Sequence, residues 1–184
     1  MHDALFWMQC LYFFLPAYVA NTIPVIAARF QILPRLAVPI DGGRNWFGPH
    51  KTIRGFLLGT TGGVLCAYCQ AKLHSFESFA LFSLTDYNRV NPLILGFLLG
   101  FGSLTGDSLG SFVKRRLHMR PGEHLWFLDE LTMAAGAIVC MAILYPTPSA
   151  RKAYIVIACI LITFAWHITA AKTAYLFRIR EVRW

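Results

Sequence analysis

An all-α integral membrane protein with five transmembrane helices is the fold class this 184-residue sequence predicts, on three observations. The chain is 57% hydrophobic and only 14% charged, too little polar surface to wrap a water-soluble core of this size. Five stretches contain no Asp, Glu, Lys or Arg: Ala4 to Ala28, Gly55 to Ala71, Val90 to Gly106, Leu131 to Ala150 and Ala153 to Ala171. Each matches the roughly 17–25 helical residues that cross a hydrocarbon core of about 30 Å. None alternates apolar with polar as barrel strands do, and lipid leaves only helices otherwise.

In chain order the spans are expected near 4–28, 55–72, 90–116, 126–146 and 153–175, within one domain covering 1–184. No basic residue precedes the first, and it is too long for the apolar core of a cleaved signal, so it reads as a span. The loop from Arg29 to Arg54 holds Pro34, Pro39, Gly42, Gly43, Gly48 and Pro49, predicting irregular backbone that folds over the membrane surface. Span three meets no breaker until Pro121-Gly122 and is expected to run as helix through Arg116. Glycines at helical spacing (Gly55, Gly59, Gly63 in span two; Gly96, Gly100 in span three) predict that these two spans touch. The loop between them, with Phe76, Phe79, Phe82 and Tyr87, reads as an interfacial aromatic belt.

Basic residues orient the bundle. Arg29, Arg35, Arg44, Lys51, Arg54, Lys114, Arg115, Arg116, Arg120, Lys172, Arg178, Arg180 and Arg183 fall on one side, against Lys72, Arg89, Arg151 and Lys152 on the other. The basic side is therefore expected in the cytoplasm of a plasma-membrane protein, with the N-terminus outside and the C-terminus inside. The net charge of +8 is juxtamembrane, suited to anionic lipid or a polyphosphate. No nucleic-acid motif is present. All five cysteines lie in apolar segments and read as packing groups, Cys66 and Cys69 included.

Two constellations carry chemistry. In Gly106-Asp107-Ser108-Leu109-Gly110-Ser111-Phe112-Val113-Lys114-Arg115-Arg116, a helix brings Asp107, Ser111 and Lys114 onto one face at i, i+4 and i+7. A carboxylate at the end of a membrane span points to function. Asp129, at the start of span four, is expected opposite Asp107 across a hairpin. Two carboxylates among Lys and Arg are what a Mg2+-polyphosphate site uses: hard oxygen ligands for the cation, fixed positive charge for the phosphates. The second constellation is Pro39-Ile40-Asp41-Gly42-Gly43 leading to Gly48-Pro49-His50-Lys51-Thr52-Ile53-Arg54-Gly55. Lys51, Thr52 and Arg54 precede span two, where free amides and the helix dipole favour an anion. The spacing is not that of a P-loop. Asn21, between Pro16 and Pro24 in span one, either bonds a ligand or satisfies a carbonyl freed at the bend.

These segments resemble the CDP-archaeol synthases, relatives of bacterial CDP-diacylglycerol synthases in a membrane CTP-transferase superfamily. The matching elements are P-A-Y-V-A-N-T-I-P (Pro16 to Pro24), P-I-D-G-G (Pro39 to Gly43), K-T-I-R-G (Lys51 to Gly55), G-D-S-L-G-S-F-V-K-R-R (Gly106 to Arg116) and L-D-E (Leu128 to Glu130). Only Pro121-Gly122 remains of the P-G-H-G-G typical of the diacylglycerol branch, which favours the archaeol branch. The resemblance implies an active site on two cytoplasmic loops and transfer of CMP from CTP to a membrane lipid phosphate, such as an unsaturated archaetidic acid, with release of pyrophosphate. It implies Mg2+ on Asp107 and Asp129, and a phosphate or metal-bound water at Ser111. Lys114, Arg115, Lys51 and Arg54 would clamp phosphates, with Asn21, Asp41, Thr52 and Arg116 also in the substrate site. The rival readings are a CTP-dependent polyprenol kinase, which would release CDP, and a non-enzymatic transporter of anionic lipid, which would need neither Mg2+ nor the cluster of Asp107, Ser111 and Lys114.

Overall fold

The computed structural model describes residues 2–119, 126–144, 154–155 and 157–165. Helix α1 (His2–Arg29) carries Pro16 and Pro24 in its interior. A proline removes the amide that would bond the carbonyl four residues back. At Pro16 the freed acceptor is Tyr12 O, and it receives Gln70 Nε2 from the next long helix, α2, over residues Ile53–Leu73. Gln70 is fully buried, and Tyr87 OH donates to its Oε1 at 3.2 Å. The repair thus comes from a neighbouring helix, and Asn21 bonds elsewhere. Helix α1 ends where Ile32 N donates to Ala27 O (2.9 Å) and Gln31 N to Ala28 O (3.3 Å), with Gln31 left-handed at φ 49°. This is the Schellman pattern of helix termination, with glutamine where glycine is usual.

Thr52 caps α2, its Oγ1 accepting Gly55 N at 3.1 Å. A short helix α3 (Glu77–Ala80) follows in the loop with the exposed Phe76 and Phe79. Helix α4 (Pro92–Arg116) starts with Asn91 accepting Leu93 N at 2.9 Å and Pro92 in the first turn, where proline costs no hydrogen bond. As expected it runs through Arg116. It stops before Pro121, because His118 turns left-handed (φ 58°) and Met119 N donates to Lys114 O (3.1 Å). Helix α5 spans Trp126–Leu144. Residues 154–155 and 157–165 are helical, and 145–146, 153, 156 and 166–175 of the expected spans lie outside the described residues.

The predicted contact between spans two and three is present: a Cβ on Gly96 would stand 2.7 Å from Gly63 O and from Val64 Cα. Gly55 meets Pro24 of α1, whereas Gly59 lies between the Ala20 carbonyl of α1 and Leu104 of α4. The α4–α5 seam is just as close, with Gly106 and Gly110 against Thr132 and Gly136 against Gly102. That order makes the two helices antiparallel. Cys10, Phe13, Phe14 and Ala17 of α1 pack with Leu95, Leu99, Ala134, Ala137, Ala158 and Cys159 in the core. Tyr18 OH shares a hydrogen bond of 2.8 Å with Thr163 Oγ1.

Among the described residues the structure is all helical, apart from one isolated bridge, Pro39 with Thr52. Segments Ala4–Arg29 and Pro92–Arg116 are each long and apolar enough to cross a membrane. Val25, Leu57, Leu65, Phe97, Val139 and Ile157 are exposed on the outside of the bundle, the surface expected of helices solvated by lipid.

Candidate active site

The loop between α1 and α2 is built from its own backbone. Ile40 N donates to Lys51 O and Ile53 N to Val38 O, both at 2.9 Å, so the two arms close before α2 begins. Asp41 organises the far end: its carboxylate accepts Gly43 N (3.0 Å), Trp46 N (2.7 Å) and Phe47 N (3.2 Å). The turn beneath it passes through Gly42 and Gly43 at φ +63° and +84°, the left-handed region that glycine enters without strain.

Partial desolvation raises the Asp41 carboxyl, but the amides of Phe47, Gly43 and Trp46 together outweigh it and hold its pKa below the usual value. A carboxyl depressed in the folded state stabilises the loop above the ordinary aspartate range, and that stability is lost as pH falls through the folded pKa. Hydrogen exchange of the Gly43, Trp46 and Phe47 amides, corrected for intrinsic rate, should therefore show protection falling on acidification. In Asp41→Asn the protection should be weaker and independent of pH across that window; a wild-type pH dependence in the variant would contradict this role.

The folded loop docks on the end of α4. The Phe47 ring lies 5.8 Å from that of Phe112, and the Arg116 guanidinium sits over the Phe112 ring, 4.9 Å from its centroid. Gly48 (φ +89°) faces Arg115, whose Nε would be 3.6 Å from a Cβ there. Arg115 Nη1 donates to Met119 O. Lys51 then reaches Asp107 and forms a direct ion pair with it, two residues 56 positions apart.

Around that pair opens a cavity of ≈ 470 Å³. Asn21, Pro24 and Val25 of α1 form one wall, Lys51, Thr52 and Arg54 a second, and Leu104, Asp107 and Ser108 of α4 a third. Arg54 is buried at 8% exposure; Nη1 donates to Ile32 O at 3.2 Å, while Nε is buried without a partner. No carboxylate pairs with it among the described residues. Asn21 Nδ2 donates to Ala17 O (2.9 Å) and Ser103 Oγ (2.8 Å), fastening α1 to α4 at the cavity edge. The amides of Ile53, Gly55 and Phe56 already have acceptors, so side chains supply more of the attraction for an anion than the helix start was expected to.

Five of the expected site residues do not line this cavity. Asp41 serves the loop, Arg115 and Arg116 the docking contact, and Ser111 and Lys114 are buried further along α4. Asp129 belongs to α5, and its side chain lies outside the described residues. With Thr132 against Gly110 and the helices antiparallel, the backbone at 129 is abreast of the stretch from Gly110 to Lys114, about a turn beyond Asp107. Two polar lining residues were not anticipated, Ser108 and His50. Each adjoins a residue that was, and Ser108 shares its motif with Asp107. Ser108 Oγ donates to Leu104 O at 2.8 Å.

The donor set bears on a metal. Among the described residues no group of three His, Cys, Asp or Glu side chains converges. Mg2+ does not need one, since it keeps several waters and takes one or two carboxylates plus substrate phosphates. An Asp107 carboxylate already matched to the Lys51 ammonium is a place where positive charge is accommodated. These residues fit the ion.

Comparison with known proteins agrees with this architecture. The family model described as CarS-like, CDP-archaeol synthase, matches residues 1–184. The CDP-archaeol synthase of Archaeoglobus fulgidus is 31% identical over 183 residues, covering 96% of this chain and 97% of that protein. That of Methanocaldococcus jannaschii is 34% identical over 181 residues, covering 95% of each. That of Thermofilum pendens is 34% identical over 176 residues, 92% of this chain and 78% of the relative. A solved structure of an intramembrane enzyme for archaeal membrane lipids biosynthesis superposes with a TM-score of 0.61 at 27% identity, over 87% of this chain and 90% of that one.

Proposed function

This chain belongs to the CDP-archaeol synthase family, and on that premise we propose that it is a cytidylyltransferase joining CTP to a membrane lipid phosphate. A phosphate oxygen of the lipid, an unsaturated archaetidic acid or a similar ether lipid, attacks the α-phosphorus of CTP. The new P–O bond gives a CDP-lipid, and the bond to the β-phosphate breaks to release pyrophosphate. At neutral pH the attacking phosphate is already ionised, so the protein's task is to position two polyanions and neutralise their charge.

The observation that supports this most is the cavity wall itself: Lys51 and the buried Arg54, which pairs with no carboxylate among the described residues, share one cavity with the Asp107 carboxylate. Arg54 offers a planar fork suited to phosphate oxygens, and Lys51 a point charge. Mg2+, held by Asp107 and by Asp129, would offset phosphate charge when bound. With a cation on Asp107, the Lys51 ammonium would be free to pair with a phosphate oxygen instead. Ser111 and Lys114, buried further along α4, and Arg115, whose Nη1 would give up Met119 O, would receive the second polyanion. Thr52 holds the start of α2 in place, Asn21 the α1–α4 junction, and Asp41 and Arg116 the docked loop.

In this reading the chain is one transmembrane domain of five spans in the plasma membrane, its N-terminus outside and its C-terminus and both active-site loops cytoplasmic. Purified protein in liposomes with labelled CTP, Mg2+ and either an archaetidic-type ether phosphate or phosphatidic acid should form CDP-lipid and pyrophosphate, with the ether lipid preferred. With a polyprenol supplied in place of the lipid phosphate, formation of CDP and a polyprenyl phosphate would mean a kinase instead.

A further inference from the structure

Immediately beyond α1 four large apolar side chains stand exposed: Phe30 at 73%, Ile32 at 45%, Leu33 at 47% and Val38 at 47%. Their backbone is fixed. The Schellman turn holds Phe30 to Ile32, Leu33 is left-handed (φ 49°), and a 3-10 turn over Pro34–Leu36 follows, with Leu36 N on Leu33 O (3.0 Å) and Ala37 N on Pro34 O (3.1 Å). A defined surface that presents apolar groups outward calls for an apolar partner.

The lipid boundary is that partner on two grounds. First, the patch continues the outside of α1, where Val25 and Ile26 are exposed at 69% and 44%. At 1.5 Å per residue the 28-residue helix is about 42 Å long, more than a hydrocarbon core, so its end reaches headgroup level. Second, Arg29 precedes the patch, Arg35 lies within it and no Asp or Glu occurs from Ala4 to Ile40, a charge pattern complementary to anionic headgroups.

We propose that the segment from Phe30 to Val38 is an interfacial anchor, its apolar side chains set into the headgroup and upper acyl layer of the bilayer. The anchor bears on the site because Ile32 O accepts Arg54 Nη1, and Val25 and Ala37 line the same cavity as Arg54. Lipid that holds Ile32 therefore holds the guanidinium at the depth of a lipid phosphate. This consequence rests on the phosphate reading of Arg54, whereas the anchor itself does not.

Photo-crosslinking with p-benzoylphenylalanine at Phe30, Leu33 or Asn45 in the full chain, reconstituted in phosphatidylglycerol liposomes, tests the anchor without any turnover. Mass spectrometry should find lipid adducts at positions 30 and 33 and none at 45. Absence of lipid at 30 and 33, equal labelling at 45, or crosslinks to a second copy of the chain would overturn it. The coupling to Arg54 is tested with Phe30→Asp/Leu33→Asp, which should raise KM for the lipid about tenfold and leave KM for CTP unchanged. Adducts at 30 and 33 with an unaltered lipid KM would overturn the coupling while upholding the anchor.

Discussion

Asp107→Asn is expected to lower turnover by about 10²–10³-fold, the range seen when one group that offsets charge in a transition state is removed. The side chain is only 29% exposed, and it meets Lys51 from the docked loop. Asparagine keeps the volume and one oxygen acceptor for the ammonium, so the bundle should stand. What disappears is the negative charge that accommodates a cation beside the phosphates. Lys51→Met should also be impaired, and the double variant should be less impaired than the product of the two, because the pair acts as a unit. Rates under single-turnover conditions, with thermal midpoints in detergent as a folding control, check this. An Asp107→Asn protein with full turnover would remove Asp107 from the chemistry.

The second large effect concerns packing. A Cβ on Gly106 would run into the Thr132 carbonyl and come within 3.0 Å of Gly136 Cα, all of it backbone that no rotamer change can clear. On Gly100, one and a half turns earlier, the nearest atoms are Ala20 Cβ at 3.4 Å and Gly63 Cα at 3.5 Å, ordinary contact. Both changes gain the same helix propensity, so their difference isolates the seam. Gly106→Ala should destabilise by about 1–3 kcal/mol through overpacking and also reduce activity, since its neighbour Asp107 moves with the helix. Gly100→Ala should be near neutral. Denaturation midpoints of the two variants decide this, and equal midpoints would contradict the α4–α5 register.

The relative contributions of pattern and tertiary structure are visible in particular residues. The charge-free stretches located α1, α2, α4 and α5 because a lipid-solvated helix must be apolar along a whole membrane thickness, a property read directly from composition. The end of α4 after Arg116 was legible too, although the stop is a left-handed His118 and not the proline beyond it. The motif at Asp107 and the basic run at Lys51 and Arg54 named residue types that the structure brings into one cavity.

Which of those side chains share a space was not legible. Helical spacing grouped Asp107 with Ser111 and Lys114, whereas the cavity groups it with Ser108, Lys51 and Arg54, because a loop from 56 residues away folds onto α4 through Phe47 and Phe112. Asp41 carried the same motif signal as Lys51, yet its oxygens go to three backbone amides of its own loop. Gly55 looked like part of one glycine stripe with Gly59 and Gly63, and the bundle turned it toward Pro24 of α1, while Gly59 and Gly63 meet both α1 and α4. By itself the sequence determined the number and extent of apolar segments and the chemistry available, since these follow from local composition. Only the tertiary structure decided the partners, since a contact across 56 residues depends on how helices cross and where a loop closes, and neither is encoded in any one segment.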